Sequence, residues 1–302
     1  MTAPTNTRHE LPASGAGLLR RVGDVSARAL AGGALWPIPT RFESLHDHGV
    51  EYALRIVEAL RRKPAPGVAQ GNPFLPCEPA LYVAHLPPRH VLLLNKFNVI
   101  EPHLLAVTEA YEPQSAALSR DDFAAAIELL LRLDGLIFYN GGRIAGASQP
   151  HKHLQWVPRG LVPGQNDLPV EPAVLRAVIR AVPARAPELP FAHALAGCGL
   201  ETGAAALHDT YRTLLRALGV TGGDGAGVCE GYNLLLTRRW MMAVPRSAES
   251  WEGISINALG FAGALLVRDE VQAARVRAAG PSKILATVTG HSSSPTGPQA
   301  TG

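Results

Sequence analysis

The chain has 302 residues, 47% of them hydrophobic and 18% charged, enough to bury a sizeable core in one large domain or two small ones. A formal net charge of +3 without any basic block calls for neither a nucleic-acid duplex nor a membrane surface, and leaves small anionic ligands as the compatible partners. The three cysteines Cys77, Cys198 and Cys229 form no C-x-x-C pair, which argues against a disulfide framework and against a thiolate zinc site.

The start, "MTAPTNTRHE", lacks the basic and apolar regions of a secretory signal, and the late apolar stretch "ISINALGFAGALLV" is too short and interrupted to cross a bilayer. A cytoplasmic location is therefore expected. Residues 1–40, rich in Ala, Gly, Pro and Arg, read as a partly irregular N-terminal segment. "EYALRIVEALRRKP" (Glu51 to Pro64) has helical apolar spacing that a proline ends, and a Gly/Pro-rich loop follows. Three strand-length apolar segments come next, "ALYVAHL", "HVLLLNKF" and "HLLAVTEAY", as a largely antiparallel sheet requires. Ser119 is placed to cap a helix whose first turn holds Asp121 and Asp122. "LIFYNGG" then leads through a Gly-rich turn to the strand containing His153. "EPAVLRAVIRAVPAR" and "AAALHDTYRTLLRALG" read as helices, "GYNLLLTRRWMMAVPRS" as one or two strands, and "DEVQAARVRAAG" as the last helix. One α+β domain over residues 41–290 and a disordered Ser/Pro/Gly-rich tail over 291–302 complete the expected organisation.

Chemistry concentrates in "SQPHKHLQWVP". His151, His153 and Gln155 share a face only on an extended strand, with Lys152 and Leu154 on the other. A lone strand histidine is usually structural, but three alternating polar groups preceded by "GRIAGASQ" are harder to explain as core. That Gly/Ala/Ser turn can bring bare backbone N–H groups, with Ser148 and Gln149, to an anion. A neutral imidazole beside a bound phosphate can attack phosphorus, provided its other nitrogen is held by a hydrogen bond. Elsewhere the signals are weak. "HDHG" (His46 to Gly49) reads as a solvated loop, "TGGDGAG" lacks the Gly-Lys-Ser/Thr ending of a phosphate loop, and His85, His90 and His208 read as surface or core residues.

The blocks "NKFNVIEPHLLAVTEAYEPQ", "FYNGGRIAGASQPHKHLQ", "FAHAL" and "YNLLLTRRWMMAVPRS…SINALGFAGALLVRD" occur in an order that resembles ATP adenylyltransferase, also called diadenosine tetraphosphate phosphorylase. This family is a branch of the histidine-triad superfamily related to galactose-1-phosphate uridylyltransferase. The likeness spans roughly Phe42 to Val288. It implies a histidine-triad-like (HIT-like) α+β fold, mainly an antiparallel sheet flanked by helices. It also implies that His153 is the nucleophile, that Gln155 contacts the transferred phosphoryl group and that His151 supports the site. Gly146, Ala147, Ser148 and Gln149 match the family's phosphate-binding turn. Asn140, the pair Asn95 and Lys96, and the stretch Asn257, Ala258 and Leu259 match nucleotide-binding positions, and Lys63 matches an upstream phosphate-contacting lysine. Ala264 and Arg268 depart from the family's usual methionine and lysine, giving a smaller wall and a different phosphate contact. His103 corresponds to the first histidine of the wider superfamily, and His193 is as readily structural as functional.

The reaction expected from the resemblance is phosphorolysis of diadenosine tetraphosphate to ATP and ADP through an adenylyl-histidine. Glutamine in place of a third histidine favours phosphate over water as acceptor. Mg²⁺ would arrive with the substrate polyphosphate, and no organic cofactor or protein-held metal is expected; the partners are nucleotides and inorganic phosphate. The alternatives are a dinucleoside polyphosphate hydrolase or other nucleotidyltransferase on the same fold, and a non-catalytic nucleotide sensor. Turnover without phosphate would mark the first, and absence of a covalent phosphoramidate the last.

Overall fold

The computed structural model describes residues 9–58, 71–178, 182–220 and 231–290. Within the N-terminal segment lies a regular helix, α1 (Gly15–Ala31), opened by Ser14, whose hydroxyl accepts from the Gly17 amide. Leu18, Val22, Val25 and Ala29 recur at three- and four-residue steps and are buried, so this segment is built into the main core.

Where a helix is expected from Glu51, the chain instead forms a hairpin of β1 (Thr40–Asp47) and β2 (Val50–Val57). His48 at φ 49° and Gly49 at φ 76° are both left-handed, the backbone that a two-residue hairpin turn of matching twist demands. The apolar spacing misleads because β2 is a central strand. With Tyr52, Ala53 and Leu54 all fully buried, its apolar residues run continuously instead of alternating. The remainder of the expected helix, from residue 59, lies outside the described residues.

The three expected strands are β3 (Tyr82–Leu86), β4 (His90–Leu94) and β5 (Leu104–Thr108), paired antiparallel. Helix α2 (Arg120–Arg132) starts at a reciprocal cap. The Ser119 hydroxyl accepts from the Asp122 amide while the Asp122 carboxylate accepts from the Ser119 amide. After β6 (Leu136–Gly141) and β7 (His153–Val157) come α3 (Glu171–Val178), β8 (Ala194–Gly197), α4 (Gly203–Ala217) and the hairpin β9 (Tyr232–Leu236) and β10 (Trp240–Pro245). Two short strands, β11 (Ser250–Trp251) and β12 (Ile254–Ser255), precede α5 (Ala258–Ala262), β13 (Ala264–Val267) and α6 (Glu270–Ala279). Helix α6 is not the last: α7 (Pro281–Val288) follows it, with Gly280 at the break and Pro281 at the first helical position.

The main sheet has eight strands in the order β3-β4-β5-β7-β6-β9-β10-β8, all neighbours antiparallel. One face carries Leu94, Leu104, Leu154, Trp156, Ile137 and Leu234 against α1, α2 and α4. The other face is covered in two parts. Phe138, Val157, Leu235 and Met242 pack with β2, β13, α5 and α7, while Phe74 closes over Leu93, Leu105 and Val107. Side chains alternate along a strand, so His153 and Gln155 emerge on this second face, between the two apolar clusters. No helix among the described residues is long and apolar enough to cross a membrane.

Candidate active site

Strand β7 begins at His153, and His151 precedes it at an isolated antiparallel bridge to Pro113. Both rings nevertheless face the same aromatic neighbour: the Phe74 ring lies 5.7 Å from His151 and 5.4 Å from His153, centroid to centroid. Lys152 and Leu154 point the other way, as alternation requires. The Lys152 ammonium is buried 2.6 Å from the Asp122 carboxylate and 2.9 Å from the Ala117 carbonyl, tying β7 to the capped end of α2. Although burial itself opposes ionisation of Asp122, the His90 hydrogen bond and the Lys152 charge hold its carboxyl well below the usual range.

The hydrogen bonds settle which nitrogen of each ring carries the proton. The His153 Nδ1 lies 2.8 Å from the His151 carbonyl, which can only accept, so Nδ1 holds the hydrogen and Nε2 keeps its lone pair. That Nε2 has no partner among the described residues. For His151 the order is reversed. Nε2 donates to the Thr108 carbonyl at 2.9 Å, and Nδ1 accepts from the Asn72 amide, whose oxygen is taken by the Phe74 N–H. Burial pushes His153 and His103 down from 6.5 to about 4, and lowers His151 as well, so all three rings are neutral at pH 7.

Gln155 is oriented by a relay. The Asn95 amide nitrogen donates to His103 Nδ1 at 3.1 Å, and His103 Nε2 donates to Gln155 Oε1 at 2.9 Å. The Asn95 oxygen accepts from the Phe97 N–H at 3.4 Å, which fixes the direction of the chain. The amide nitrogen of Gln155, the end that can donate to a phosphoryl oxygen, thus remains without a partner among the described residues. Asn95 acts here through His103, and His103 touches Gln155 directly.

The turn before the strand is shaped for close approach. Gly146 has φ +87°, and a Cβ there would sit 2.8 Å from the Ile256 carbonyl oxygen and 2.9 Å from Asn257 Cβ, so only glycine lets the turn meet the Asn257 segment. Ala147 N–H closes back onto Gly142, whereas the N–H groups of Ser148 and Gln149 take no partner among the described residues. Such unclaimed amides at a glycine turn suit an anion. Asn140 joins the two segments: its Oδ1 accepts from the Ala258 N–H at 3.0 Å and from Asn233 Nδ2 at 2.8 Å. Asn233 also donates to the Ala145 carbonyl, and buried Arg246 donates to Asn233 Oδ1 and to the carbonyls of Ile256, Ala248 and Glu249. Asn257 caps α5 through the Leu259 N–H.

The fold therefore gathers His151, His153, Gln155, Asn95, Asn140, Gly146, Ala147, Ser148, Gln149, Asn257, Ala258 and Leu259 around one strand end. Lys96 is turned to Glu78, 2.7 Å away. The exposed Arg268 side chain makes no hydrogen bond or ion pair among the described residues; it follows β13, which runs parallel to β2 and ends beside it. Lys63 lies outside the described residues, as do Cys229, "TGGDGAG" and the segment from 291. His193 is buried, donates from Nδ1 to the Phe191 carbonyl and accepts from the Ala186 N–H at Nε2, so both of its ring nitrogens are engaged within the fold. Asn72, Thr108, Asn233 and Arg246 escaped sequence reasoning, because single polar residues inside apolar or loop segments have no spacing to mark them.

A neutral imidazole with a free Nε2, a glutamine amide aimed by a relay and an anion-ready glycine turn, set on an antiparallel sheet, define a histidine-triad-like protein of the glutamine-ended kind. Residues 8–176 match the Ap4A phosphorylase N-terminal domain, and residues 187–290 match the ATP adenylyltransferase C-terminal domain. The chain belongs to the Ap4A phosphorylase family. It is 33% identical over 201 residues to diadenosine 5′,5′′′-P1,P4-tetraphosphate phosphorylase 2 of Saccharomyces cerevisiae, covering 59% of this chain and 62% of that protein. It is 32% identical over 205 residues to Protein APA1 of the same yeast, covering 59% of this chain and 61% of that protein. The matched segment thus spans a little over three fifths of each relative. In structure it resembles yeast Ap4A phosphorylase Apa2 in complex with AMP, with a TM-score of 0.77, 24% identity, and coverage of 92% of this chain and 99% of that one. The complex of Apa2 with Ap4A gives 0.76 at 24% identity, covering 90% and 97%. These likenesses establish the HIT-like α+β fold.

Proposed function

We propose that this chain is an ATP adenylyltransferase that cleaves diadenosine tetraphosphate with inorganic phosphate, giving ATP and ADP. The observation that carries the reading is the tautomer of His153, whose Nδ1 hydrogen is committed to the His151 carbonyl at 2.8 Å while Nε2 keeps its lone pair. Nε2 attacks an adenylyl phosphorus; the new N–P bond forms as the P–O bond to ATP breaks, and ATP leaves with that oxygen. Positive charge develops on the ring, and the His151 carbonyl stabilises it without removing the proton. Phosphate then attacks the same phosphorus, the N–P bond breaks and ADP departs, returning the electron pair to Nε2. Gln155 and the free amides of Ser148 and Gln149 are the donors for the phosphoryl oxygens. Lys63 and Arg268 are proposed as polyphosphate clamps, and Mg²⁺ as a counter-ion that enters with the substrate.

The yeast relatives' names and the yeast complexes with AMP and Ap4A support this choice of substrate. The test is to mix purified protein, diadenosine tetraphosphate and Mg²⁺ with and without phosphate, and to resolve the nucleotides by chromatography. ATP plus ADP appearing only with phosphate is the expected result, and His153→Ala should fold normally yet form no acid-labile, base-stable adenylyl-protein. ATP plus AMP in both mixtures would replace the phosphorylase with a hydrolase, and wild-type turnover by His153→Ala would refute the nucleophile.

A further inference from the structure

Strands β6 and β7 pair from Leu136↔Val157 to Phe138↔Gln155, and there the ladder stops. Continued in register, it would set Tyr139 opposite Leu154 and Asn140 opposite His153. The neighbouring ladders do not stop: β6 stays paired with β9 as far as Gly141↔Tyr232, and β7 with β5 as far as Val107↔His153. The gap is thus local, between the two residues that lead into and out of the phosphate-binding turn.

The side chain of Gln114 fills that gap. It is 3% exposed. Its Oε1 accepts from the His153 N–H at 2.8 Å, and its Nε2 donates to the Asn140 carbonyl at 2.9 Å and to the His153 carbonyl at 3.2 Å. One amide therefore does what a paired strand residue would do, satisfying groups on both strands while holding them apart. Gln114 is itself held, since its N–H donates to the Pro150 carbonyl at 2.8 Å and its own carbonyl accepts from the Tyr139 hydroxyl.

We infer that Gln114 is a positioning residue for adenylyl transfer, setting the backbone of His153 against that of Asn140 and so the distance of Nε2 from the phosphate-binding turn. This rests on the proposed chemistry at His153. Without the amide, the buried N–H and carbonyl of His153 lose their partner and the Asn140 carbonyl is left to the Gly142 N–H, so the strands recover the lost bonds only by closing or by admitting water. Either change displaces the nucleophile relative to the Gly146 turn. The turn and the Asn257 segment are held separately by Asn140, Asn233 and Arg246, so ground-state nucleotide binding survives.

Two variants test this. Gln114→Met keeps the length and removes every hydrogen bond. Gln114→Glu keeps the shape; its neutral form accepts from His153 N–H and donates to one carbonyl, whereas its carboxylate faces two carbonyl oxygens with nothing to donate. The readouts are the single-turnover rate of adenylyl-protein formation without phosphate, the dissociation constant for AMP, and the melting transition. In both variants at pH 8 we expect a rate about 10²-fold below wild type, with AMP affinity within about threefold and a single cooperative melt. On lowering the pH to 6, Gln114→Glu recovers rate and Gln114→Met does not. Wild-type rates in both variants would overturn the inference, as would rate and AMP affinity falling together, the mark of a merely structural residue. Absence of adduct in the wild-type protein would instead refute the adenylyl-transfer reading itself, so the two failures are told apart.

Discussion

Protonation of His153 at Nε2 would remove the lone pair proposed to attack phosphorus, so on that proposal the acid limit of adenylylation reports how far burial has displaced this ring. Burial lowers it from the ordinary 6.5 to about 4, against the raising effect of the His151 carbonyl. At pH 5.5 an imidazole with the ordinary value would be about 10% neutral and its reaction about tenfold slower, whereas one titrating near 4 stays about 97% neutral. The assay is the second-order rate of adenylyl-protein formation at diadenosine tetraphosphate concentrations well below saturation, without phosphate. Under that condition the profile reports the free enzyme, before polyphosphate charge can raise the ring. The rate should change by less than twofold from pH 7.5 to 5.5; a tenfold fall with a midpoint near 6.5 would refute the buried-nucleophile argument. The same displacement bears on stability. Because His153 and His103 bind protons more weakly folded than unfolded, their contribution is complete above 6.5 and is lost as the pH falls from 6.5 to about 4. The loss is about 3 kcal/mol for either ring taken alone, seen as a falling denaturation midpoint over that interval.

Lys152→Met should cost about 3–5 kcal/mol in urea denaturation, because it takes away the cation buried against the Asp122 carboxylate; pairing it with Asp122→Asn should restore part of the loss, and additive losses would show the contact to be unimportant. Arg246→Met removes the donor to four acceptors around Asn233 and the Asn257 segment, so AMP affinity should fall about tenfold or more, together with stability. Calorimetry giving unchanged AMP binding would disprove that Arg246 shapes the nucleotide side.

Much of the site can be read from the alternation of His151, His153 and Gln155, because two-residue periodicity survives wherever a strand has two different faces. Capping chemistry placed Ser119 at the head of α2, and the same alternation placed Lys152 on the far side. It failed at Glu51, where β2 is buried on both sides and the periodic signal disappears, so that only the turn at His48 and Gly49 betrays the hairpin. It passed over α7, which is only eight residues long and shows a polar face at just Lys283 and Thr287, too brief a run for helical spacing to stand out.

What the chain alone determined is local: strand or helix where one face stays wet, a glycine turn with amides to spare, and an H-x-H-x-Q run that sets His153 and Gln155 on one face of a strand. What the tertiary structure decided depends on groups distant in sequence. The His103 relay that turns Gln155 comes from the residue just before β5, 52 residues away in sequence; the wedge that parts β6 from β7 at His153 comes from Gln114, 39 residues away; and the low titration point of His153 exists only once Phe74 and the sheet exclude water from it. Orientation, separation and desolvation are properties of packed neighbours, and no spacing along the chain encodes them.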